Sequence, residues 1–177
     1  MTAKPSVIAV CSSPRHRFSK QPQLSIHLLA GLGVQGDAHC GATVQHIYLK
    51  KRTPQAPNRM QVHLLASELL HELELQPGQL GENITTQGID LIHLPLGTRL
   101  HIGAEAVVEL TGLRSPCVQI EKFKPGLLKR VVARDAATTA LARAGVMAIV
   151  VHGGEIMPGA NLHISLPPEP HQQLTMI

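Results

Sequence analysis

Val107-Val108-Glu109-Leu110-Thr111-Gly112-Leu113-Arg114-Ser115-Pro116-Cys117 reads as a β-strand that ends at a glycine and runs into a stiff polar turn. Pro116 fixes its own φ and pushes Ser115 into an extended conformation. A guanidinium and a thiol are therefore held a few residues apart at a strand end. A fixed positive charge favours thiolate over thiol, and thiolate is both the nucleophile and the soft-metal ligand. The alternative is that Cys117 is one more small buried hydrophobe, the commonest fate of a free cysteine. The residues of this stretch leave both readings open.

Working outward, runs at 7–11, 44–49, 98–102, 106–111, 146–152 and 161–166 share β-branched or alternating apolar character with turn residues beside them. The 15 glycines and 13 prolines are scattered between these runs, as many short connections require. Two helices are expected. One covers residues 66–75, with Leu69, Leu70 and Leu73 on one stripe and Glu68, Glu72 and Glu74 mostly outside. The other starts at Pro125, a good first-turn residue, and runs through Leu127, Leu128, Val131 and Val132 towards Arg134. Residues 135–144 are ambiguous, because their alanines suit a helix and their paired threonines do not. Residues 50–58 read as an exposed loop and the Pro-rich end from 167 onward as a tail. The fold class is thus mainly β, a closed or nearly closed β-barrel with a few short helices. A single domain over 5–168 with a tail at 169–177 accounts for the length.

Hydrophobic content of 44% against 16% charged describes a folded chain. Three cysteines without framework spacing argue against a disulfide-stapled secreted fold. With no Trp, one Tyr and two Phe, the core must be aliphatic, and the aromatic platforms of single-strand nucleic-acid binding are missing. No apolar run approaches the ~18 residues that span a bilayer. The start at 6–11 is too short for a signal region and is followed by Arg15, His16 and Arg17, so it reads as a strand. The expectation is a cytoplasmic protein with neither nucleic-acid nor membrane partners.

Net charge is only +4, but it is unevenly placed. Residues 1–60 carry eight Lys/Arg against Asp37 alone, and residues 61–110 carry Arg99 against seven acids. Residues 111–143 are basic again. If the two basic stretches fold together they form a surface suited to a phosphate or another anion; ordinary solvated charge is the other explanation.

Several polar clusters stand out. Gly36-Asp37-Ala38-His39-Cys40-Gly41 lets backbone approach something closely. His39-Cys40 with His46 could be half a zinc site, but no second Cys or His pair completes it. Arg59, Gln61 and His63 alternate, so on a strand they share one face, as a solvated surface or a polar pocket lining. Gly81-Glu82-Asn83-Ile84-Thr85-Thr86-Gln87-Gly88 suits hydrogen bonding to a heterocycle, or is a turn that caps itself. Ser19-Lys20, after Arg15-His16-Arg17, is a possible phosphate contact. Together with Arg114 and Cys117, these favour an anionic, polar small molecule over a macromolecular groove.

The ordered blocks 33–39, Arg59-Met60-Gln61-Val62-His63-Leu64, 81–91, 94–98, Leu113-Arg114-Ser115-Pro116-Cys117 and Ala144-Gly145-Val146-Met147 resemble the MOSC domain, the module named for the C-terminal part of molybdenum cofactor sulfurases. The resemblance is to a stand-alone bacterial-type member and covers nearly the whole chain. It implies a compact, mainly β-barrel module that binds molybdenum cofactor through the cysteine of the Arg-x-Pro-Cys block. Cys117 is then the metal ligand, with Arg114 beside it as the second catalytic residue. The same resemblance sets the pterin phosphate near Lys20, Arg59 or Arg143, and Glu82 and Asn83 near the pterin or the metal's open face. Ser19, His39 and His63 complete the expected cofactor-binding set. It further implies an oxidoreductase acting on N-hydroxylated small molecules and fed by a separate electron-donor protein. The alternatives are a persulfide carrier on Cys117 supplied by a sulfur donor, and a non-catalytic cofactor-binding module. One departure is Pro158-Gly159-Ala160, where the family often has Pro-Gly-Asp.

Overall fold

A computed structural model describes residues 4–134 and 140–177. Strand β1 (Ser6–Ser12) is followed by the short strands β2 (Gln21–Gln23), β3 (Ile26–Leu29) and β4 (Gly33–Val34). Helix α1 (Ile47–Arg52) precedes β5 (Val62–Ala66), α2 (Ser67–Glu72), β6 (Ile84–Gln87) and a 3-10 turn at Leu91–His93. Strands β7 (Arg99–Ile102) and β8 (Ala106–Leu113) lead to α3 (Val118–Phe123) and α4 (Leu127–Val131). The short pair β9 (Val132–Arg134) and β10 (Ala140–Ala142) comes next, then β11 (Val146–His152), β12 (Gly154–Ile156) and β13 (Leu162–Ser165).

The architecture is mainly β, as expected. The principal sheet has eight strands in the order β13-β7-β8-β11-β5-β6-β1-β2, and a three-stranded sheet β12-β3-β4 packs with it. Among the described residues, only β5 and β6 pair in parallel within the large sheet. The sheet does not close into a barrel. One edge of β1 is divided: Val10–Ser12 pair with β2, while its beginning meets the chain before β13. There, Val7 N–H donates to the Ala160 carbonyl at 2.9 Å and Leu162 N–H to the Pro5 carbonyl at 3.0 Å, around an isolated Ser6–Asn161 bridge. A divided edge cannot carry a continuous closing ladder, so the ring stops at these contacts.

Two apolar clusters form the core. Val10, Leu28, Val62, Leu64, Leu100, Val108 and Val146 form one cluster to which both sheets contribute. Leu65, Leu70, Leu73, Leu80, Ile120 and Leu127 form a second cluster beneath the helices. The second depends on the predicted 66–75 stripe, in which Leu70 and Leu73 are fully covered. Among the described residues, no helix is long and apolar enough to cross a membrane.

Other expectations changed. The 44–49 run is not a strand: Lys50 N–H reaches back to the His46 carbonyl and opens α1, leaving a bridge at Thr43–Pro57 beneath it. The helix expected from Pro125 is cut short, because Val132–Arg134 leave it to pair with Ala140–Ala142; residues 135–139, part of the ambiguous stretch, lie outside the described residues. Arg59, Gln61 and His63 do not share a face, since β5 starts only at Val62, and Arg59 is exposed while the other two are buried. The C-terminal residues pack back on the sheet, with Leu174 in the main core and Leu113 bonded to Thr175 and Ile177.

Candidate functional site

β8 ends at Leu113 in the first apolar cluster, and α3 plants Ile120 in the second. Arg114 to Cys117 bridge the two, so both ends of the turn are fixed by burial. Arg114 N–H donates to the Gly145 carbonyl at 2.9 Å, and Ser115 Oγ donates to the Ile177 carbonyl at 3.0 Å. The Arg114 guanidinium donates through Nη1 to the Leu80 carbonyl at 2.7 Å and lies 5.8 Å from the centre of the Phe18 ring. Burial lowers its pKa from the ordinary value, opposed by the nearby Cys117 and Glu82 charges; a guanidinium stays charged regardless.

Arg114 and Cys117 open onto a cavity of about 410 Å³. Its walls carry Arg17, Lys20 and Arg114 together with His16, His39, His46 and His63. No Asp or Glu is among its described lining residues. The apolar part of the wall includes Phe18, Met60, Met147 and the last residue, Ile177. The two basic stretches of the sequence thus meet here, from the β1–β2 connection and from the β8–α3 turn.

One carboxylate behind the wall organises it. Asp37 Oδ1 accepts from Ser13 N–H at 3.0 Å and Asn83 Nδ2 at 3.3 Å. Its Oδ2 accepts from Lys20 Nζ at 2.9 Å and His39 N–H at 3.0 Å, with His39 Nδ1 at 3.4 Å. Burial would raise the Asp37 pKa, but these hydrogen bonds and the Lys20 charge hold it well below the usual carboxylate range. Lys20 is lowered by its own burial, which the Asp37 charge opposes.

His63 forms the inner wall. Its Nε2 is 2.8 Å from the Ala144 carbonyl, and burial, with Arg114 nearby, pushes its pKa well down, so it is neutral. Gly145 makes this contact possible: at φ +98° it has no side chain, and a Cβ there would meet the Leu64 carbonyl and sit 2.5 Å from His63 Nε2.

The expected residues divide accordingly. Arg114, Cys117, Lys20, His39, His63 and Asn83 share the cavity wall. The Asn83 amide is committed to the framework, donating to the Cys11 carbonyl and Asp37 and accepting from His63 N–H at 3.1 Å. Glu82 lies behind the wall, fully buried; its Oε1 accepts from Gly78 N–H at 2.6 Å, its Oε2 has no partner, and burial raises its pKa. Ser19 donates to the Gln79 carbonyl at 2.9 Å, and Arg59 donates to the Thr111 carbonyl at 2.8 Å from an exposed position. Arg143 is elsewhere: it grips Glu72 at 2.8 and 2.9 Å beside a separate apolar hollow floored by Leu65, Leu69 and Ile89. Sequence reasoning missed Phe18, Tyr48, Gln119 and Ile177 on the wall. Only Tyr48, the lone tyrosine, carried any signal.

The three cysteines are not equivalent. Cys11 is fully buried and its thiol is pushed up to about 12, chiefly by burial and then by Glu82. Cys40 is raised by burial and by Asp37. Cys117 alone is a half-buried thiol on the cavity wall. Among the described residues, no three His, Cys, Asp or Glu side chains converge to hold a metal. Any metal here would need ligands of its own beyond the one thiolate.

Comparison with known folds agrees with this architecture. The YuaD protein from Bacillus subtilis superposes with a TM-score of 0.73 at 21% identity, over 94% of this chain and 98% of that one. YiiM from Geobacillus stearothermophilus gives 0.66 at 17% identity, covering 96% and 79%. YiiM from Escherichia coli gives 0.62 at 16%, covering 96% and 73%. At these identities the likeness establishes the fold. No curated protein matches the chain in sequence. The sequence pattern of the MOSC domain matches residues 49–163, well over half of the chain and inclusive of β5, β8, Arg114 and Cys117. The chain therefore belongs to the MOSC domain family, which is associated with binding of molybdenum cofactor.

Proposed function

We propose that the protein binds molybdenum cofactor in the Cys117 cavity, with the Cys117 thiolate as ligand to the metal, and reduces N-hydroxylated small molecules. The observation that carries this is a half-buried thiol on a wall of three cations and four histidines without an Asp or Glu side chain among its described lining residues. Those residues fit the group. Its phosphate calls for cations, for which Arg17 and Arg114 stand on the wall, and its metal would take a further soft ligand, which Cys117 can supply. Lys20 keeps donors beyond the one spent on Asp37, because an ammonium has three.

When bound, the cofactor would supply the two-electron redox chemistry that reduction of an N–O bond needs. Converting R–NH–OH to R–NH2 and water consumes two electrons and two protons. His16, His39 and His46, on the wall, are the groups that can carry those protons in from solvent. Asp37 fixes His39 for this role through its backbone N–H and its Nδ1. Arg114, on the same wall, offers its positive charge to the bound oxygen-bearing substrate. Phe18, Met60 and Met147 limit water around the reacting bond. The electrons arrive from a separate donor protein.

The test is metal analysis on protein made in a host that produces the cofactor. Wild type, Cys11→Ala and Cys40→Ala should retain molybdenum, and Cys117→Ala should lose most of it. Equal molybdenum in all four overturns the reading. The partial exposure of Cys117 favours one second reading, a persulfide carrier. Intact mass after incubation with a cysteine desulfurase separates the two, since a one-sulfur gain on metal-free protein, confined to Cys117, supports the carrier.

A further inference from the structure

Between β4 and β5 the chain leaves the body of the protein and returns at almost the same place. The base of this excursion is well tied. Thr43 bridges Pro57, Val44 N–H donates to the Ala56 carbonyl at 2.9 Å, and Asn58 N–H donates to the Ala42 carbonyl at 2.9 Å. The buried Asn58 side chain adds bonds to the His39 and Gly41 carbonyls, each at 2.9 Å.

Above that base the segment holds only to itself. Every hydrogen bond that the described residues give to 45–55 stays within 43–57: Gln45 to Thr43, Lys50 to His46 and Gln45, Thr53 to Leu49. Lys50, Lys51 and Arg52 form no ion pair among the described residues, and α1 has no buried residue at all. Ile47 is 47% exposed, Tyr48 68% and Leu49 38%, three exposed side chains in a row, of which the Tyr48 ring lies 5.9 Å from the His46 ring. Those three residues and His46 are nevertheless part of the wall around Cys117. His46 Nδ1 is shut off from solvent without a hydrogen-bond partner.

The geometry points to a lid. Residues 45–56 hinge on the Thr43–Asn58 base and close over an anionic ligand in the Cys117 cavity, drawn by His46 and sealed by Ile47, Tyr48 and Leu49. This rests on the reading of that cavity as the binding site, and adds how ligand is retained and water excluded. An element with fixed ends, no buried side chain and no hydrogen bond to the body costs little to move. Its exposed Ile47, Tyr48 and Leu49 side chains gain cover when the cavity is filled, so closure is coupled to occupancy. The unmet Nδ1 of His46 gives the lid a polar contact to make at that moment.

Because Tyr48 is the only tyrosine and there is no tryptophan, its emission reports on this segment alone in the unmodified protein. The measurement is acrylamide quenching of Tyr48 as inorganic pyrophosphate is titrated in, with binding followed by calorimetry on the same samples. Closure lowers the quenching constant at least about twofold at saturation. Leu49→Ser, which disturbs no buried contact, should keep the thermal midpoint yet lose most of that shielding. Binding of pyrophosphate without a change in quenching, no binding at millimolar concentration, or full shielding in Leu49→Ser each overturns the lid. Molybdenum retention is measured separately on the cysteine variants, so either result can fail while the other stands.

Discussion

Asp37→Asn tests the framework of the cavity most severely. The carboxylate accepts from Ser13 N–H, Asn83 Nδ2, Lys20 Nζ and the His39 N–H, all donors, and His39 Nδ1 lies 3.4 Å away. An amide has one oxygen, so its NH2 must face at least one donor pair whichever way it turns. Lys20 and Asp37 expose 4% and 0% of their side chains, so the ammonium is left inside the protein without a counter-charge. Removing one partner of such a pair costs about 3–5 kcal/mol, against at most about 1 kcal/mol for an exposed pair. The double variant Lys20→Met with Asp37→Asn should fall short of the summed single losses by roughly 2 kcal/mol, because no stranded charge remains. The pH dependence has a definite sign. The folded pKa of Asp37 lies below the unfolded value, so its contribution is complete above the unfolded pKa of ~3.9 and disappears as pH falls through the folded one. Urea unfolding of wild type and Asp37→Asn from pH 7 to pH 3 is the assay. A loss under about 1 kcal/mol at pH 7, or a gap that does not narrow below pH ~4, would refute the buried-pair account.

Other consequences follow from the same geometry. Gly145→Ala forces a Cβ against the Leu64 carbonyl and His63 Nε2 at a positive φ. It should cost roughly 2–4 kcal/mol in chemical denaturation and loosen Arg114, whose N–H is held by the Gly145 carbonyl. His63 is neutral in the folded state and takes up a proton on unfolding, so stability should fall with acidification below pH ~6.5 by up to about 1.4 kcal/mol per unit. His63→Gln should flatten that slope in urea titrations, and an unchanged slope would assign it to other groups. Iodoacetamide labelling of native, metal-free protein followed by peptide mass mapping should modify Cys117 first and leave Cys11, buried and pushed up to about 12, untouched until unfolding. Ile120→Ala, emptying the buried anchor of α3, should cost about 3 kcal/mol and raise the labelling rate of Cys117 by freeing its turn.

The legible parts of this fold were those whose cause is local. Strands β1, β7, β8, β11 and β13 announce themselves by β-branched alternation, and α2 by its leucine stripe. The Arg114–Cys117 turn follows from Pro116 and from the polar residues around it. Less legible was what depends on distant pairing. The exposed strand β2 and the two-residue β4 exist only because β1 and β3 supply partners. α1 buries nothing, so its apolar run at 44–49 looks like a strand that some other part of the fold should cover. Arg143 belongs by charge to the basic half of the chain, yet Glu72 captures it at another hollow. Asp37 is the reverse case. Its cluster was visible as Gly-Asp-x-His, but its part as counter-ion to Lys20 needs the tertiary fold.

The central claim is that Cys117 ligates molybdenum. X-ray absorption at the molybdenum edge on wild type and on Cys117→Ala reconstituted with excess cofactor addresses it without recourse to turnover. The account requires one fewer sulfur neighbour around the metal in the variant. An identical sulfur shell in the two proteins would contradict it.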